Sequence, residues 1–155
     1  MNTEGTLDFQ IALEQRVAKI YQRIADQFSH QREPLCEKAV LWKKLARDER
    51  KHAALLKIEK ALLQSGTRVM HPVEITHETK QKIEAMLSKY EKQISGGINE
   101  AQAFQILKDL ETCDEHIFLP LLQATDSKLL SRFARRSETC QAHEKRVRDI
   151  LRQNQ

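Results

Sequence analysis

Apolar positions in this chain recur with a helical rather than an alternating period. Leu7, Ile11, Val17, Tyr21, Ile24 and Phe28 mark one stripe and predict a first helix over about residues 6–29. After the polar break His30 to Glu33, Pro34 suits the first turn of a second helix running to about Gln64, with Trp42, Leu45, Leu56 and Leu63 in its stripe. Ser65-Gly66 reads as its stop signal. Asn99 is a suitable cap for a further helix over about residues 98–124, carrying Phe104, Leu107, Phe118 and Leu121. Pro120 lacks a backbone donor and is expected to bend or end that helix near residues 114–117. Asp126 can cap a last helix over about 126–153, whose stripe includes Leu130, Phe133, Val147 and Leu151.

Between these pairs, residues 67–98 hold a helical stretch from about 76 to 94, with Ile83, Met86, Leu87, Tyr90 and Ile94 on a narrow apolar face. It closes on Gly96-Gly97. Thirty residues are too many for a structureless loop in a compact domain, so the segment reads as a crossover between two helix pairs. Its place at the surface makes it a partner site as well. The 155 residues suffice for one domain, and 31% charged residues with 5% aromatics, four Gly and three Pro suit long helices with solvated outer faces. The expected class is all-α: a four-helix bundle with a crossover that contains an extra helix.

The stripes are interrupted in a regular way. Glu14 lies in the first, Glu49 and His52 in the second, Glu111 and Asp114 in the third, Cys140 and His143 in the last. A buried carboxylate without a counter-charge costs several kcal/mol, so these groups aimed at one core imply a shared cation, and a divalent metal supplies it. The plainer alternative is a set of buried carboxylates hydrogen-bonded to His52 and His143.

The two halves also match. Tyr21 follows Glu14 by seven residues, as Phe118 follows Glu111, and Glu49-x-x-His52 corresponds to Cys140-x-x-His143. Residues at i and i+3 share a helix face, where a carboxylate and an imidazole reach one metal or two adjacent ones. One Glu from each of two helices plus Glu-x-x-His from each of the other two is the ligand set of carboxylate di-metal bundles. Here a thiol replaces one carboxylate.

On these residues the chain resembles the rubrerythrin branch of the ferritin-like di-iron proteins over its four bundle helices. The resemblance implies a ferritin-like bundle in which Glu14, Glu49, His52, Glu111 and His143 fall on ligand positions. Asp114 falls where the family carries an extra exchangeable carboxylate, and Cys140 where it carries a bridging Glu. Tyr21 is similar to the catalytic-site tyrosine just outside the ligand set. The implied cofactor is one or two iron ions, and the implied activity is peroxidase or ferroxidase chemistry with peroxide or dioxygen. Because a thiolate is softer than a carboxylate and offers one donor atom, the alternative is a non-catalytic protein holding zinc or a single iron.

The remaining features narrow the partners. The net charge is +4, but Lys and Arg alternate with Asp and Glu along nearly every helix, which describes solvated faces. Only Arg132 to Arg136 and Lys145 to Arg148 sustain a nucleic-acid reading, and no aromatics interleave there to stack bases. Three cysteines without a C-x-x-C pair indicate neither a disulfide framework nor a rubredoxin-like electron relay, so an enzyme of this kind needs a separate electron-donor protein. A homo-oligomer is compatible with the bundle. No membrane span or secretion signal is evident, and a cytoplasmic location is expected. His30, His71, His77 and His116 are expected at the surface, and Cys36 and Cys113 as structural residues.

Overall fold

A computed structural model describes residues 3–67, 69, 74–123 and 145, with the side chains of the last helix described up to Cys113. It contains α1 (Thr3–Ser29), α2 (Leu35–Gln64), α3 (His77–Ser95) and α4 (Glu100–Gln123), and no strand among the described residues. These bounds follow the hydrophobic stripes closely. The expected helix over 126–153, with Cys140 and His143, lies outside the described residues, as does the pairing of the two halves that depends on it.

The helix ends have local causes. Gly66 at φ +75° and Gly97 at φ +85° adopt the left-handed conformation that stops α2 and α3, where a side chain would be strained. Thr76 caps α3 by accepting from the Thr79 amide at 3.1 Å. At α4, the Asn99 side chain accepts from the Gln102 amide at 2.8 Å, and Gln102 accepts in return from the Asn99 amide at 2.9 Å. This reciprocal capping box makes Asn99 the start signal the sequence suggested. Pro120 does not end α4 near residues 114–117, because the helix continues to Gln123. One missing donor is a local loss that the flanking helical turns can span.

Side-chain pairs fix the direction of each helix. Lys60 to Asp8 at 2.6 Å and His52 to Glu14 at 3.9 Å run in opposite order along the two helices, so α2 is antiparallel to α1. Arg16 meets Glu91 at 2.5 Å and Arg23 meets Ser95 at 2.7 Å, an order that makes α3 parallel to α1. Thus α3 carries the chain back along the length of α1. Its Ile83, Leu87, Tyr90 and Ile94 are buried in the core with Ile20, Ile24 and Phe28 of α1, Trp42 and Leu45 of α2, and Ile106, Leu107 and Leu110 of α4. α1 is the common wall, packing against the other three helices. Gln27 ties the turn between α3 and α4 to that wall, donating to the Ile94 carbonyl at 2.5 Å and accepting from the Ile98 amide at 3.3 Å.

Tyr90 donates its hydroxyl proton to Asp109, joining α3 to α4. Burial, and then the hydrogen bond and negative charge of Asp109, push this phenol well above its ordinary value of 10.0. The folded state therefore keeps a proton that the unfolded chain releases, so stability is level below pH 10 and falls as pH rises beyond it. Urea unfolding between pH 9 and 11.5 should show a steeper alkaline loss for the wild type than for Tyr90→Phe. Equal slopes would remove Tyr90 as the cause.

Candidate metal centre

The described buried polar residues all lie on the α1–α2 seam: Thr6, Gln10 and Glu14 on α1, and Glu49, His52 and Glu59 on α2. The first three recur every fourth position, one above another on a single helix face, and Glu49 with His52 forms the i, i+3 pair. Antiparallel packing brings the two sets level.

At mid-height Glu14, Glu49 and His52 converge, with only 1%, 4% and 9% of their surfaces exposed. One ligand atom from each lies within 4.8 Å of the other two. His52 Nδ1 is 3.5 Å from Glu49 Oε2 and 3.9 Å from Glu14 Oε2. Direct hydrogen bonds of an imidazole are typically about 2.7–3.2 Å. Donors set about 2.1 Å from a tetrahedral ion stand about 3.4 Å apart, so these spacings suit atoms that share a cation better than atoms that bond one another. Gln10 donates to Glu14 Oε1 at 3.0 Å, which orients the carboxylate and leaves Oε2 toward His52.

The α4 wall completes the surroundings. Tyr21, fully buried, donates to Glu111 Oε1 at 2.9 Å, and its ring lies 5.8 Å from that of Trp42. Glu14, Glu49, Glu111 and Cys113 line one narrow cavity, closed by Tyr21 and by Leu13, Val17 and Leu110. Its free volume is about 10 Å³, the room of a single water-sized sphere. Two carboxylates with an imidazole form a hard-to-borderline donor set of the kind that iron, zinc and manganese occupy, and the cavity size matches one ion.

Of the sequence candidates, the structure brings together Glu14, Glu49 and His52, and sets Glu111 on the same cavity with Tyr21 bonded to it. The Asp114 side chain, Cys140 and His143 lie outside what is described. His30 and His77 are exposed, as expected of surface residues. Thr6, Gln10, Glu59 and Cys113 were not anticipated in polar surroundings. The first two sit eight and four residues before Glu14 and Glu59 seven after His52, so extending the same stripes would have reached them. No described helix is long and apolar enough to cross a membrane.

Comparison with protein-family models, with curated proteins and with solved structures gave no match to this chain.

Proposed function

We propose that the chain is a metal-binding helical protein that holds a divalent cation between Glu14, Glu49 and His52, with iron as the working metal and peroxide or dioxygen as its oxidant. The observation that carries the reading is the convergence of two carboxylates and an imidazole, all nine-tenths buried or more, to ligand spacing. Buried anions that close together are costly without a cation. Iron held by carboxylate and imidazole supplies one-electron chemistry toward oxygen species. The protein's own part is to keep the donors rigid and dry: Gln10 holds Glu14, Tyr21 holds Glu111, and the apolar wall excludes bulk water. Rubrerythrin-like peroxidase or ferroxidase activity, in a ferritin-like bundle completed by the last helix, is the fullest form of this proposal.

A second reading, a non-catalytic protein with a single zinc or iron, is favoured by the cavity, which has space for one ion. Anaerobic titration of the metal-free protein with ferrous iron and with zinc, followed by elemental analysis and peroxide addition, separates the two. The enzyme reading expects bound ferrous iron to be oxidised by peroxide much faster than free ferrous iron. Tight binding without that acceleration leaves only the second reading, and failure to bind either metal overturns both.

A further inference from the structure

We infer that Cys113 supplies a sulfur ligand to the metal centre, so that the site takes borderline first-row cations, such as zinc, cobalt(II) or ferrous iron, and rejects magnesium and calcium. This rests on the metal-binding reading above. It concerns a residue that sequence spacing had assigned to structure, and it places the thiol of the centre on α4.

Three observations support it. Cys113 is in no disulfide and lines the same cavity as Glu14, Glu49 and Glu111. It also continues the buried stripe of α4, Ala103, Ile106 and Leu110, one turn further, and residues three apart share a helix face. Finally, the hydrogen bond from Tyr21 to Glu111 fixes the height of this turn against α1, at the level of the Glu14 carboxylate. A cavity with room for one ion leaves its lining donors a single common target. On binding, the thiol proton leaves to solvent as the sulfur–metal bond forms, and the soft thiolate discriminates against hard cations, which prefer all-oxygen sites.

Cys36 provides an internal contrast. A hydrogen bond to Glu33, then partial desolvation and the Glu33 charge, push its thiol above the ordinary 9.0, away from thiolate chemistry at neutral pH.

The test uses the full metal-free chain titrated anaerobically with cobalt(II), with binding followed by calorimetry and by absorption. The wild type, Cys36→Ser and Cys140→Ser should show a near-ultraviolet thiolate-to-cobalt band, and excess magnesium should not displace the metal. Cys113→Ser should bind cobalt with visible d–d bands while the near-ultraviolet band falls to background. A band that survives Cys113→Ser and vanishes in Cys140→Ser overturns the assignment. Cobalt bound without any thiolate band overturns it too but leaves the Glu14-Glu49-His52 centre standing. If no cobalt binds, the metal reading itself falls, and this inference with it. Should Cys113→Ser fail to fold, alkylation of the wild type decides: zinc should protect Cys113, mapped by peptide mass spectrometry, and not Cys36. Equal labelling of Cys113 with and without zinc refutes the ligand role.

Discussion

Converting Glu14 and Glu49 together to glutamine is expected to raise the stability of the metal-free protein while abolishing its stabilisation by metal. The opposite signs follow from burial. Both carboxylates are almost completely removed from solvent, and desolvating them is only partly offset by Gln10 and His52. Neutral amides of the same shape relieve that cost, and replacing buried charges in this way typically ranges from neutral to about 1–4 kcal/mol stabilising. With metal the balance reverses. A ligand at about one hundred times its dissociation constant adds about 2.7 kcal/mol to the native state, and the amide variant forgoes it. Urea unfolding of both proteins, with chelator and with zinc, reads all four values. A metal-free variant less stable than the metal-free wild type would show that the carboxylates are well compensated without a cation.

Trp42→Ala should be the most damaging single core change, costing about 3–5 kcal/mol. The indole is 4% exposed and fills the junction of α1 and α2, with the rings of Tyr21 and Phe28 at 5.8 and 6.2 Å. Its loss removes aromatic contacts as well as area, and the partners cannot collapse without moving Tyr21 away from Glu111. The effect should therefore appear twice, as a lower urea midpoint and as weaker metal binding. Val40→Ala, two residues away but 69% exposed, should stay within about 0.5 kcal/mol of wild type. A Trp42→Ala variant that loses stability but keeps full metal affinity would separate the aromatic wall from the centre.

The helices were legible because each signal is local. A stripe of period 3.6, a cap and a left-handed glycine act within one or two turns, which is why Asn99, Gly66 and Gly97 mark ends correctly. Pro120 misled as a stop because a proline removes one hydrogen bond, whereas helix continuation depends on the surrounding packing. Glu14, Glu49 and His52 were found because polar groups inside an apolar stripe are conspicuous in one dimension. Cys113 was not, because a cysteine in such a stripe looks like any small apolar residue, and only the cavity distinguishes it. Glu59 was passed over although it stands in the α2 stripe and is completely buried. Its surroundings depend on how α1 and α2 register against each other, and periodicity along one helix does not fix that.

The amide of Gln27, which clasps both sides of the turn before α4, sits at the fulcrum of a long arm. From Glu100 to Glu111 the helix advances about 17 Å. Over that span, tilting the arm by about 5° displaces its far end by about 1.5 Å, enough to open or crush a space the size of one ion. Accuracy at the centre is thus delegated to a contact three helical turns away, and drift in metal selectivity across variants should be sought there as readily as among the donors themselves.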